Sequence, residues 1–471
     1  MRSGVAVIEY EATRMGGAQR RGDSRRMSVH GDQEAQPKPS TADAIVEALR
    51  AGRRPQELGL RDASLRGANL SRVSLAGVDL GGIDLEEAYL YGVNLSAAQL
   101  VDARMRGAVL QGSVLHGTSL ESADLSASDL QWTDMRSADF TRANLSSARL
   151  GHARLANATL EGADLAGARA DGANLLGATM RDATLTAARL HGADLRGANL
   201  SGADLTLADL RGANLHGVNL RGTSMAGAIY DRETVFPPKR NPAAYSMVYV
   251  EPGASLAGVD MRGFALRDAN LTGADLTAAD LRDADLRGVV LAGATLDECQ
   301  MAGALMDDAT VMPEEFDVAS AGGRHIGPRA PLPEADLRWR DLEETDMQGA
   351  DLTAADLAGA NLNGAQLDEA CMERANLSMA NLRVAQLTGA TMRQAALRGA
   401  VFHGAGLRGA DMRDADLAWA DLTEADLCGA DLTGALMADT RLRRARYDLE
   451  TRLPDGCDPT AAGMLLPRAR R

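Results

Sequence analysis

A chain of 471 residues would ordinarily hold about three domains, yet aromatics make up only 3% of this one, too few for a conventional core of bulky rings. So narrow a composition points to an internal repeat. The formal net charge of −15 excludes direct grip on a nucleic-acid backbone, which needs a clustered basic surface.

In chain order, residues 1–39 are polar and rich in Gly and Arg (Arg20, Arg21, Arg25, Arg26), and are expected to be disordered. Val5 to Ile8 is followed by Glu9 and Glu11, which does not make a signal peptide, and Met27 is a candidate start. Across 40–57, Ser40 or Thr41 caps an expected short helix carrying Ile45, Val46 and Leu49 and ending near Gly52. Its expected role is to plug the open end of the repeat region that begins at Leu60.

From Leu60 every fifth residue is apolar through Tyr230, giving 35 units; 12 more run from Leu256 to Val311 and 23 from Leu337 to Tyr447. Of these 70 centres 52 are Leu, and two residues before each centre the chain is small, Ala in 52 cases. Across both positions only Arg340 is charged, so both face a dry interior. Two inward residues separated by one outward residue is strand geometry. The remaining pair, often polar then Gly, reads as a corner. A helix fails, because a period of five turns each Leu by about 140° from the last. Such a unit must coil and stack at about 4.8 Å. Phe264 and Arg340 break the small-residue rule and are expected near array ends.

Runs such as Ala193-Asp194-Leu195-Arg196-Gly197 and Ala198-Asn199-Leu200-Ser201-Gly202 resemble the pentapeptide-repeat family, and the resemblance covers the three arrays. It implies an all-β fold, a right-handed quadrilateral β-helix (solenoid) with four units per coil. The expected organisation is a first array at 58–232, a cap or loop at 233–253, a second array at 254–313, another loop at 314–334, a third array at 335–449, and a C-terminal cap and tail at 450–471. Ala228-Ile229-Tyr230-Asp231-Arg232-Glu233-Thr234 and Ala445-Arg446-Tyr447-Asp448-Leu449-Glu450-Thr451 share a pattern, which suggests three modules related by duplication. The breaks, with Phe236, Tyr245 and Tyr249, are candidate interaction loops, although sealing the array ends is the simpler account of them.

Catalytic chemistry is hard to find. His116, His152, His191, His216 and His403 are scattered at outward positions without a neighbouring Cys or His, so no metal site or cofactor is expected. There is no nucleophile elbow, phosphate loop or Cys/His dyad spacing. Asp before the centre belongs to the repeat and is expected to be structural. Cys299, Cys371, Cys428 and Cys457 read as free thiols in a reducing compartment; with no apolar run long enough to span a bilayer, a cytoplasmic location is expected.

Outward charges number 19 acidic and 16 basic in the first array, 10 and 4 in the second, and 19 and 11 in the third. With four units per coil, Arg149, Arg169 and Arg189 form a column, with Tyr89, Tyr91 and Trp132 on the same face. That face is the candidate site for an acidic partner segment, the aromatics serving as anchors. The alternative is a solvated ladder neutralised by Asp129, Asp171 and Asp209. The expected function is a non-enzymatic protein-binding or scaffolding solenoid with a protein partner. The resemblance also implies a second possibility, a DNA-mimic rod that binds a type II topoisomerase (gyrase) and protects it from inhibitors. Against it stand the near charge balance of the first array, the modular breaks and a short basic C-terminus. Oligomeric state and a common axis for the arrays stay open.

Overall fold

The computed structural model describes residues 41–466 apart from 239, 315 and 319. The expected disordered segment 1–39 lies outside the described residues, as do Ser40 and the final five residues of the tail.

Each unit spends two residues on a turn and three on an inward, outward, inward step. The outward residue pairs in parallel with the residue one coil on: Ser64 with Asp84, Asn69 with Tyr89, Asp84 with Arg104. The step is twenty residues, so four units complete a coil. Three bonds per unit tie the coils, as in Leu65 N–H to the Asp84 carbonyl (2.7 Å), Asp84 N–H to the Ala63 carbonyl (2.9 Å) and, at the corner, Gly67 N–H to the Glu86 carbonyl (2.8 Å). The expected strands shrink to these single pairing residues, because the corner reclaims the rest: Ala63 N–H closes a turn on the Leu60 carbonyl at 3.2 Å.

The second corner residue takes a positive φ, and Gly is not obligatory there. Asp62, Trp132 and Val384 hold 57°, 60° and 46°. Asp or Asn before the centre supports the corner by accepting the N–H two residues on, as Asn69 does from Ser71 (3.1 Å) and Asp79 from Gly81 (3.1 Å). Leu centres are buried throughout, and so are their Ala partners apart from the half-buried Ala63 in the first coil and the exposed Ala309 at the second corner. Where a hydroxyl replaces Ala it is satisfied internally, Ser128 donating to the Leu125 carbonyl at 2.7 Å and Thr133 to that of Leu130 at 2.6 Å.

Thr41 caps helix α1 (Ala42–Arg50) by accepting from Ala44 N–H at 3.3 Å. Its Ile45, Val46 and Leu49 join the same apolar cluster as Leu58, Leu60 and Leu65. Covering the first coil this way removes an open sheet edge.

Each array ends in one corner built three times. Asp231, Asp307 and Asp448 accept from Gly212, Gly288 and Gly429 N–H, each at 2.9 Å. Thr234, Thr310 and Thr451 donate to the Leu210, Leu286 and Leu427 carbonyls, each at 3.0 Å. The corner inserts one residue, so Val235, Val311 and Arg452 pair one position late, with Asn214, Val290 and Asp431. This corrects the reading of Val311 as an inward centre: it is 45% exposed.

Beyond the first two corners the chain returns to pair in parallel with the coil it left. β1 (Ile229–Tyr230) pairs with β2 (Val248–Tyr249), and β3 (Leu305–Met306) with β4 (Arg324–His325). Phe264 and Arg340 hold equivalent places after these joints and both reach back. The Phe264 ring packs over Gly227, where a Cβ would stand 3.3 Å from it. The Arg340 guanidinium donates to the Asp283 carboxylate (2.7 Å) and the Gly303 carbonyl (3.1 Å). A second arginine crosses each joint: Arg211 to the Arg267 carbonyl (3.0 Å) and Arg287 to that of Asp341 (2.5 Å).

The result is a chain doubled back on itself. Asp43 meets Arg443, Glu87 meets Arg441, Tyr89 meets Arg383, and Arg169 meets Asp341. Positions rising along the first array thus meet positions falling along the third. The two long arrays lie side by side in opposite directions, with the short second array joining them at one end.

Candidate functional site

Arg149, Arg169 and Arg189 are pairing residues on three successive coils, so the backbone ladder itself stacks them. All three side chains are mostly buried, at 20–23% exposure. For Arg149 and Arg169 the cover comes from the third array. Arg149 pairs with Glu343 at 2.5 Å, and Arg169 with Asp341 at 3.1 Å and with Glu343 as well. Glu343 has a 3% exposed side chain, and Asn363 donates at 3.1 Å to Oε1, the oxygen that also takes Arg149. Burial pushes its carboxyl above the ordinary range even though Arg169 and Arg149 pull it down. Of the neutralising carboxylates expected from the sequence, Asp129 pairs with Arg149 (3.2 Å) and Asp171 with Arg189 (3.4 Å), whereas Asp209 turns to Arg211 (2.6 Å).

Tyr89 lies several coils away on the same face and is held by the third array too. Its ring stacks on His403 with centroids 3.9 Å apart, and Arg383 donates to its hydroxyl at 3.1 Å. Burial raises the phenol far above its ordinary value and lowers His403 to about 3, the latter helped by the Arg383 charge. Beside them Glu87 pairs with Arg441 at 3.0 Å; burial and then the Asp421 carboxylate raise its carboxyl. Tyr91 and Trp132 do not join this contact. Tyr91 is half-exposed, and Trp132 is exposed at the corner with its ring stacked on His152 at 4.3 Å.

The residues that complete the face, Glu87, Asp341, Glu343, Arg383, His403 and Arg441, carried no sequence signal as a set. Arg169 and Glu343 are 174 positions apart, and only the doubling of the chain joins them.

A second surface stands open. Trp339, Met379 and Trp419 occupy the same corner on alternate coils of the third array and are 75%, 53% and 58% exposed. Between them lie Gly359 and Gly399. The Trp339 ring lies over Gly359, and the Met379 sulfur would stand 2.6 Å from a Cβ at Gly399. At both glycines the large side chain of the preceding coil occupies the space a Cβ would take. Arg398 covers the Trp419 ring at 4.5 Å, and its indole N–H donates to Asp439 at 3.1 Å. The product is a fixed apolar ridge on a rigid edge.

Among the described residues no three His, Cys, Asp or Glu side chains come together as metal ligands, and no helix is long and apolar enough to cross a membrane. Burial pushes the Cys299 and Cys428 thiols up to about 11, far from a reactive thiolate at neutral pH.

No curated protein matches the chain. Among solved structures, HetL, a pentapeptide repeat protein involved in heterocyst differentiation regulation from the cyanobacterium Nostoc sp. strain PCC 7120, is 31% identical, covering 57% of this chain and 98% of its own, with a TM-score of 0.18. A pentapeptide repeat protein from the Arabidopsis thaliana thylakoid lumen is 25% identical over 25% of this chain and 72% of its own, with a TM-score of 0.17. Full-length QnrB1, a plasmid-mediated fluoroquinolone resistance protein, is 13% identical over 64% and 91%, with a TM-score of 0.16. The family pattern described as Pentapeptide repeats (8 copies) matches in overlapping stretches spanning 60–186, 188–227, 253–288 and 335–446, well over half of the chain. With its five-residue units stacked into twenty-residue coils, the chain belongs to the pentapeptide-repeat family, whose fold is a right-handed β-helix.

Proposed function

We propose that this protein is a non-enzymatic, protein-binding scaffold whose accessible contact surface is the Trp339–Met379–Trp419 ridge. The observation that carries the reading is the exposure of three large apolar side chains in line on one edge, with Trp419 held by Arg398 and Asp439 before any partner arrives. Aromatic anchors already fixed in place lose little freedom on binding, which is what makes such residues dominate contacts. Among the described residues, aspartates such as Asp79, Asp134 and Asp411 serve the corners and the ion pairs.

The alternative, a DNA mimic that occupies a topoisomerase groove, asks for a single rod with a continuous acidic face. Against it, the chain is doubled, and Asp341, Glu343 and Asp421 of the acidic third array are turned toward arginines of the first array or lie beside Glu87 within the contact. Affinity capture from host lysate with the wild-type protein and with a Trp339→Ser, Met379→Ser, Trp419→Ser variant tests the reading. Specific partners should be lost from the variant. Capture of topoisomerase subunits, competed by DNA and indifferent to the ridge, would favour the alternative.

A further inference from the structure

The arginine column and the acids that cover it belong to separately packed bodies. The buried apolar cluster of the first array, from Ile45 to Ala228, and that of the third, from Leu305 to Met464, share no residue. What joins the two arms is instead a set of ion pairs, hydrogen bonds and one ring stack. Parting the arms therefore exposes charge and polar surface and leaves each Leu/Ala interior closed.

The column itself is rigid, because Arg149, Arg169 and Arg189 are spaced by the coil rise of about 4.8 Å. Its occupancy is incomplete. Arg149 and Arg169 take Glu343 and Asp341, whereas Arg189 makes its ion pair within its own arm, with Asp171 at 3.4 Å. The occupant is also held at a cost, since Glu343 is desolvated and an ion pair so placed must recover what water gave it.

We propose that the column is a carboxylate-binding face, and that Asp341 and Glu343 occupy it in cis as an autoinhibitory contact displaceable by an acidic peptide segment of a partner. The contact fits a segment with two or more neighbouring carboxylates, a third being able to reach Arg189. The inference concerns a different face from the ridge, so either can fail alone. Its reversibility follows from the lack of a shared core, and salt weakens the docking of the arms chiefly through the exposed Asp43–Arg443 pair and the partly exposed Arg441, the buried Glu343 pairs being screened much less.

A labelled oligoglutamate peptide, followed by fluorescence anisotropy, is the probe. The Asp341→Asn, Glu343→Gln variant should bind it about tenfold more tightly than the wild type, and adding Arg149→Ala and Arg169→Ala should abolish the gain. Equal binding to wild type and double variant, or a gain that survives loss of both arginines, overturns the proposal. X-ray scattering supplies an independent reading: the radius of gyration should rise in the double variant, and in the wild type as NaCl goes from about 0.05 to about 1 M. A radius unchanged in both cases sinks the idea. Because the cores are separate, the double variant should melt within a few degrees of the wild type; a collapsed melt would show that the arms share their stability and would also overturn it.

Discussion

The joints between successive arrays and the contact between the two long arms bring solenoid surfaces together in opposite ways. At a joint the backbone itself continues: β1 pairs with β2, β3 pairs with β4, and apolar residues pass from one core to the next, Ile229 into the second array and Leu305 into the third. Between the arms the described residues form no backbone pairs, and the ion pairs and hydrogen bonds that join them involve groups that water would also solvate. A joint is thus as hard to open as the fold, whereas the arm contact is set by charge, salt and protonation.

The largest effect expected at a joint comes from Phe264→Ala. The ring is 4% exposed, and removing it should cost about 3–5 kcal/mol in chemical denaturation. A cost near zero would mean that this joint is not a packed core. Arg287→Ala comes next. It leaves the Asp285 carboxylate, now held below its ordinary value against burial by the Arg287 side-chain bond, without its 2.6 Å partner. Breaking so buried a pair costs about 3 kcal/mol, and the loss should hardly change with salt. A strongly salt-dependent loss would erase the distinction between joint and arm contact.

Across the arms the effects should be smaller. Tyr89→Phe removes only the hydroxyl that accepts from Arg383, so about 1 kcal/mol of arm docking should go, read as a lower salt concentration for opening by scattering. Glu87 gives a pH dependence of definite sign. Its carboxyl is raised above 4.5, so its contribution is fully present below about pH 4.5 and fades as pH climbs through the raised value. Asp421, kept below 3.8 chiefly by the Thr423 hydroxyl and backbone N–H against burial, works the other way: its share is present above 3.8 and fades in stronger acid. Glu87→Gln should flatten the first of these slopes and also alter the second, because the Glu87 side chain helps to hold Asp421 down. The smallest effect belongs to Arg338→Ala, an exposed pair with Asp336 on one arm, which should shift neither the melt nor the scattering.

How much of this was legible beforehand depends on the range of each interaction. The Leu and Ala periodicity is local, repeats every five residues and carries its own burial, so the solenoid was plain. Phe264 and Arg340 were visible as rule-breakers, yet their equivalence needed the joints, which place them at matching points after β2 and β4. The arginine column could be read once the coil length was supplied by resemblance. Its acid could be anticipated in kind only, because nothing near Arg169 in the sequence points to Glu343. Val311 was misread because an inserted corner residue keeps the apolar rhythm while turning the side chain outward.

The doubling of the chain brings Asp43 of α1 beside Arg443 near the last corner, so the two far ends of the array series lie together. A tether pulling on those ends would not stretch a rod along its length. It would peel the arms apart like a zipper, beginning at the Asp43–Arg443 pair, passing Glu87 and Tyr89, and reaching the arginine column last. Under tension the arginine column would be the last part of the contact uncovered, so opening by force would proceed in steps from the array ends inward.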